Sequence, residues 1–393
     1  MSSSKKYKKK LVFVTSRFPY PLEKGDKLRA YFQIRELSKS YDIYLISLKE
    51  NKVEANAEKE LGKYCKEIHT FQLPFIAKWL MTFLFLFGNK PLQVGYFYNP
   101  LVKSKIKKLL LKIAPDLIYC QLIRAANYVK DYHDCPKVLD YMDALSKGIE
   151  RRIEYSVGFK KWILNTEYNR LKTYENIIFE YFELHTVISE EDRKNIFHPE
   201  YESIKVIPNG VNEYFFQAPK IKKKIDVLFT GNMSYPPNVR AAKFIANKIA
   251  PKAPHLNFYI VGANPTQELK RINGKNIVVT GWVEDIREYY AKSKIFLAPM
   301  TIGTGLQNKL LEAMACGIPC VTTTLANKAL KAKPDEEIIL ADEENKIVEK
   351  LIALSNDEEL QGKIAKNGQS YIRKNFDWEN TTGLLIREIE SLQ

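Results

Sequence analysis

The sequence predicts an α/β protein built from two parallel-sheet domains. Three observations carry this reading. Short apolar runs rich in β-branched residues alternate with longer amphipathic segments along the chain, the pattern of strands returning through crossover helices. The alternation occurs twice, on either side of a lysine-rich stretch at residues 212–224 that has linker character. At 393 residues the chain is long enough for two or three domains with full cores.

Taken in order, residues 11–15 (LVFVT) read as a buried strand. Pro19, Pro21 and Gly25 then mark a loop, and a helix is expected over 28–40. Residues 43–47 form a second strand, 117–120 and 137–140 later strands, and 185–189 and 205–207 the last strands of the same sheet. The polar-aromatic stretch 155–182 reads as a long helix, and Pro208-Asn209-Gly210 as a turn. The second set has strands near 226–229, 257–261, 277–280, 295–298 and 320–323, with helices near 239–250, 283–291 and 306–315. It spans about 150 residues, a usual domain size. The expected domains are therefore 1–210 and 211–370, followed by a helical tail, 371–393, with Phe376 and Trp378 as packing anchors. Open sheets of this kind bind ligands at the carboxyl ends of their strands, so a cleft between two such edges is expected.

Composition narrows the function classes. The five cysteines (65, 120, 135, 316 and 320) are odd in number and form no C-x-x-C pair. No secretory signal opens the sequence, and free thiols in a reducing cytoplasm are expected. No H-E-x-x-H, D-x-D or histidine cluster occurs, so no metal or other cofactor is expected. The formal net charge is +15, and residues 1–110 supply most of it, with 22 Lys and Arg against 9 Asp and Glu. Basic charge alone does not make a nucleic-acid protein, and no recognition module or basic–aromatic interleaving supports one. Within the basic region, residues 71–87 (FQLPFIAKWLMTFLFLF) are strongly apolar but broken by Pro74 and Lys78. The unbroken part is too short to span a bilayer. It reads either as a buried helix or as a peripheral contact with an anionic membrane surface. KKYKKK at Lys5 reads as a solvated leader.

The most informative stretch is 303–320, GTGLQNKLLEAMACGIPC. A glycine turn, Gly303-Thr304-Gly305, runs into a helix-forming segment that Gly317 stops, and Pro319-Cys320-Val321 opens a strand. A glycine-opened helix offers unpaired N–H groups and the positive end of its dipole, which suit a phosphate. Glu312 lies seven residues beyond Gly305, roughly 10 Å along a helix, near the reach from a diphosphate to its ribose. An ordinary βα unit ending in a C-cap glycine fits the spacing equally well. Lys309 and Glu312, three apart, would also make a plain structural ion pair.

The segment resembles the donor-site signature of retaining GT-B glycosyltransferases of family 4. The match is Gly305-Leu306, Leu311-Glu312-Ala313-Met314-Ala315, Gly317, Pro319 and Val321. The resemblance implies a ribose-binding role for Glu312 and phosphate binding by the Gly305, Leu306 and Gln307 amides. The family's first glutamate would fall at Thr304, a departure that bears on how the sugar is held. Lys309, before the LEAMA run, occurs in some branches. Gly231-Asn232-Met233-Ser234, with Tyr235, Pro237-Asn238 and Ala241, resembles a G-x-M-x-Y-x-P-N pattern of one branch. Many relatives carry arginine and lysine at the positions of Asn232 and Asn238, so the diphosphate clamp here would either weaken or come from elsewhere, with Lys309 and Arg240 as the candidates. Gly281-Trp282-Val283 and Asp285 match a G-x-V-x-D turn near the base, and Asp285 would equally serve as a helix N-cap.

In the first domain, the Gly25 loop (EKGDKLRAY), with Asp26 and Arg29, corresponds to a loop that approaches the diphosphate and acceptor. Asp140-x-x-Asp143 would bind acceptor hydroxyls or cap a helix. Where many members keep a histidine after the fourth strand, this chain has Gln121 and Arg124, and Arg124 is expected to face the cleft. The five histidines read as structural. The resemblance extends over nearly the whole chain. It implies two Rossmann-like domains facing each other across a cleft, with the C-terminal helix crossing back to the first. It also implies transfer of a hexose-type sugar, with retention, from a nucleoside-diphosphate sugar to a glycan or lipid-linked acceptor in surface-glycan synthesis. A GT-B nucleotide-sugar 2-epimerase and a non-catalytic sugar-nucleotide-binding partner are the rival readings.

Overall fold

The computed structural model describes residues 8–49, 55–154, 156–219, 221–272, 274–302 and 305–392. Its contacts divide the chain into two compact units. The first comprises residues up to Pro208 plus those from Thr382 onward, and the second runs from Asn209 to Thr381. The last helix, Trp378–Glu390, thus begins in the second unit and ends in the first.

The first unit is a seven-stranded parallel sheet: β1 (Lys10–Thr15), β2 (Asp42–Lys49), β3 (Cys65–Gln72), β4 (Leu117–Gln121), β5 (Lys137–Met142), β6 (Leu184–Val187) and β7 (Lys205–Val206). Their order is β3-β2-β1-β4-β5-β6-β7, which puts the switch point between β1 and β4. Central strands are apolar on both faces, and Leu11 to Val14 are wholly buried, as a sheet covered by helices on both sides requires. Strand β3 was not expected. It is an edge strand (CKEIHTFQ), partly exposed and interleaved with charge, so it lacks the continuous apolar run of a central strand.

Asn99 starts the helix Pro100–Ile113 by accepting from the amides of Leu101 and Val102. Ala114 ends it in the left-handed region at φ 48°. Val102, Ile106, Leu110 and Ile113 make its buried stripe. The long helix expected over 155–182 is Gly158–Phe179.

The second unit repeats the plan with β8 (Ile225–Thr230), β9 (Phe258–Val261), β10 (Ile277–Val279), β11 (Ser293–Ala298), β12 (Cys320–Thr322) and β13 (Ile339–Leu340). The order is β10-β9-β8-β11-β12-β13, all parallel. The two-residue β13 is too short to have shown as a strand pattern. Three backbones crowd together at the carboxyl ends of β8, β9 and β10. Gly231 N–H donates to the Val261 carbonyl and Gly262 N–H to the Gly281 carbonyl, both at 3.0 Å. A Cβ on Gly262 would lie 1.9 Å from the Gly231 carbonyl oxygen, at φ +151°. No side chain fits there. Trp378 is fully buried, and a Cβ on Gly210 would meet its ring at 2.6 Å.

Candidate functional site

The second unit's switch point lies between β8 and β11, where open α/β sheets bind ligands. The helix Asn308–Ala315 follows β11. It begins two residues later than expected, so Glu312 sits one turn into the helix instead of two. Gln307 is its N-cap, with extended backbone and no side-chain cap, and Leu310 N–H to the Gln307 carbonyl is the first bond. The amides of Asn308 and Lys309 precede that bond and face the end of the helix.

Lys309 is the organising cation. Its Nζ donates to Asn238 Oδ1 at 2.6 Å and to Gln307 Oε1 at 3.4 Å, and lies 5.4 Å from the Phe229 ring centre. Burial pushes its pKa down to about 8, with Glu312 pulling the other way. The i,i+3 ion pair with Glu312 does not form. The ammonium turns to Asn238, which resolves the structural alternative for this pair.

Glu312 is half-buried. Its Oε2 accepts from Tyr290 Oη at 3.0 Å, and Tyr290 Oη also pairs with Thr230 Oγ1 at 2.8 Å. Burial raises the Glu312 carboxyl to about 7, opposed by the Tyr290 hydrogen bond and by Lys309. Tyr290 and Thr230 were not anticipated. They lie 22 and 82 residues from Glu312 in sequence, and only the sheet topology joins them.

Asn238 is buried, and its Nδ2 donates to the Asn232 carbonyl at 2.9 Å. Asn232 turns its own Oδ1 inward along the loop, accepting from Ser234 N–H and Oγ. The two asparagines thus form a scaffold that positions Lys309, one step back from a direct clamp. Ser234 and Arg240 are exposed, and Arg240 has no described contact with this cluster. Gly305, Leu306 and Gln307 lead into the helix, and Leu306 and Val283 pack against the second unit's core. Gly303 and Thr304 lie outside the described residues. Asp285 is a helix N-cap, accepting from Arg287 N–H, Nε and Nη2 and from Tyr214 Oη. That is the capping alternative.

The first-unit residues divide. Asp140 does not bind acceptor hydroxyls. It is wholly buried, gripped by Arg29 Nε at 2.7 Å and Nη2 at 3.1 Å, and further bonded by Thr186 Oγ1. Arg29, also wholly buried, spends Nη1 on the Ile207 carbonyl. This pair ties the first helix to β5 and to the end of β7. Asp143, by contrast, is exposed. Gly25 is the first residue of the helix Gly25–Leu37 and is exposed, with nothing within 4 Å of a built Cβ. Asp26 pairs with Arg17 at 2.8 Å. Arg124 donates to Gln93 Oε1 at 2.8 Å and packs over Phe97. Among the described residues no group of three His, Cys, Asp or Glu could share a metal ion.

Residues 224–357 match the family described as glycosyl transferases group 1. A curated relative from Klebsiella pneumoniae, an uncharacterized 44.6 kDa protein in the cps region, is 22% identical over 96% of this chain and 99% of its own length. Among solved structures, sucrose-phosphate synthase from Thermosynechococcus elongatus superposes with a TM-score of 0.70 at 14% identity, covering 98% of this chain and all of that one (100%). Anabaena Alr3699/HepE in complex with UDP and glucose superposes with a TM-score of 0.67 at 16% identity, covering 98% and 100%. The chain has the GT-B fold of these neighbours: two Rossmann-like α/β units.

Proposed function

We propose that this GT-B chain, whose residues 224–357 match the glycosyl transferases group 1 family, transfers a hexose-type sugar from a nucleoside-diphosphate sugar to an acceptor hydroxyl with retention of configuration. The observation that carries the proposal is the placement of Lys309 and Glu312, three residues apart and each with its own partner, at the start of one helix at the switch point of the second sheet. Lys309 and the Asn308 and Lys309 amides meet the diphosphate. Glu312, held by Tyr290, accepts from the ribose hydroxyls. As the sugar departs, negative charge grows on the diphosphate, where a fixed ammonium and a helix start stabilise it. With the Lys309 pKa at about 8, the ammonium is the major form at neutral pH. No histidine base is assigned, and front-face attack assisted by the departing phosphate needs none.

The neighbour solved with UDP and glucose supports a UDP-sugar donor, and the relative from a cps region supports a capsule or other surface glycan as product. The acceptor is then a glycan or a lipid-linked saccharide at the cytoplasmic face of the membrane. The test is product analysis by NMR with UDP-sugar donors, with and without acceptor extract. Acceptor-dependent release of UDP and a product with the donor's anomeric configuration support the proposal. Conversion of donor alone to a 2-epimer would overturn it in favour of an isomerase. Binding without any turnover, across the donor panel, would assign a non-catalytic role.

A further inference from the structure

The helix Phe75–Leu86 is amphipathic in reverse. Its large apolar residues face water: Phe75, Ile76, Trp79, Leu80, Phe83, Leu84 and Leu86, and Phe87 just after it, are 39–80% exposed. At 100° per residue these eight occupy one unbroken half of the helix circumference, with no charge among them. The opposite face meets the protein. Lys78 is buried there, its Nζ 3.3 Å from Tyr96 Oη, and Phe85 packs on Gly95, where a Cβ would lie 2.6 Å from its ring. Arg170 locks the end of the helix through the carbonyls of Phe85 and Leu86. The helix is therefore held in place with its apolar side outward. With about 200 Å² per large apolar side chain, the arc leaves roughly 1,000 Å² of apolar surface in water, about twice the largest patch usual on a soluble monomer.

Charge identifies what covers it. Between Glu67 and Asp116 the sequence contains seven lysines and no Asp or Glu. Five of them, Lys90, Lys105, Lys107, Lys108 and Lys112, are exposed. A second copy of this chain would bring the same cations against these. An anionic lipid surface complements them and accepts the apolar arc. The helix has 12 residues, about 18 Å, too short to cross a hydrocarbon core of about 30 Å. No helix among the described residues is long and apolar enough to cross a membrane.

We infer that the Phe75–Leu86 helix is an in-plane docking element that seats the first unit on an anionic membrane. This goes beyond the sugar-transfer reading and stands independently of it. The experiment is co-sedimentation of the full chain with phosphatidylcholine vesicles, with and without phosphatidylglycerol, at low and high salt. The wild type is expected to bind the anionic vesicles, more weakly at high salt, with a blue shift of Trp79 emission that is lost in Trp79→Phe. Leu80→Gln/Phe83→Gln, both on the exposed arc, is expected to lower vesicle binding by about tenfold or more. Its melting temperature and its thermal shift with UDP should match wild type, which separates this outcome from failure of the donor site. Unchanged vesicle binding in the double variant overturns the inference. So does a wild-type dimer, seen by light scattering, that the double variant dissociates.

Discussion

Glu312 should cost the folded protein stability, and removing its charge should return some of it. A carboxyl that ionises at 4.5 in the unfolded chain is held at about 7 by burial in the fold. Between those values the native state keeps a proton that the unfolded chain has released, so stability falls as pH rises from 4.5 towards 7. At 1.36 kcal/mol per pH unit the full cost, reached above pH 7, is about 3 kcal/mol. Glu312→Gln keeps the acceptor for Tyr290 Oη and cancels that cost. It also strips Lys309 of the charge that opposes its desolvation, which takes back part of the gain. The expected net gain at pH 8 is about 1–2 kcal/mol, with none at pH 4. Urea unfolding of both proteins at pH 4, 6 and 8 measures it. The variant should gain stability relative to wild type as pH rises while losing nucleotide affinity, the signature of a group placed for a ligand at the fold's expense. A loss of stability at pH 8, or a difference that does not change with pH, would mean that burial of the Glu312 charge does not cost the fold stability.

Other outcomes follow from named contacts. Lys309 loses its charge as pH rises through about 8, so UDP affinity measured by calorimetry should fall between pH 7 and 9, and Lys309→Met should flatten that profile. Arg29→Ala leaves Asp140 buried and unpaired, and should destabilise the protein by about 3–5 kcal/mol in urea unfolding. Gly262→Ala places a Cβ 1.9 Å from the Gly231 carbonyl and should cost about 3 kcal/mol or more, read as a lower melting temperature or insoluble expression. Gly25→Ala meets nothing within 4 Å, and should leave stability within about 0.5 kcal/mol of wild type.

Much of this molecule was legible because its central strands are buried on both faces and read as unbroken apolar runs. The strands beginning at Leu11, Ile43 and Asp226 announced themselves in this way. Strand β3 did not, because an edge strand mixes charge with its apolar residues, and β13 is too short to show a period. At the candidate site, the helix that carries Lys309 and Glu312 was legible because a glycine turn, a helix and a second glycine are local features. The roles of Asn238 and Tyr290 were not. Asn238 positions Lys309 across 71 residues of sequence and Tyr290 positions Glu312 across 22, and only strand order brings them together. Asp140 shows the converse error. A carboxylate after a strand has the same sequence signature whether it faces a ligand or, as here, a buried arginine. The outward side of the Phe75–Leu86 helix was also hidden, because composition reports that a helix is apolar but not which face it turns to water.

The most direct measurement is a calorimetric titration of UDP into wild type and Glu312→Ala at pH 7.5. Wild type should bind UDP saturably. A carboxylate accepting ribose hydroxyls is worth about 1.5–3 kcal/mol, so the variant's affinity should be lower by about tenfold to a hundredfold. Equal affinity in the two proteins, both folded, would contradict the assignment of this helix as the donor site.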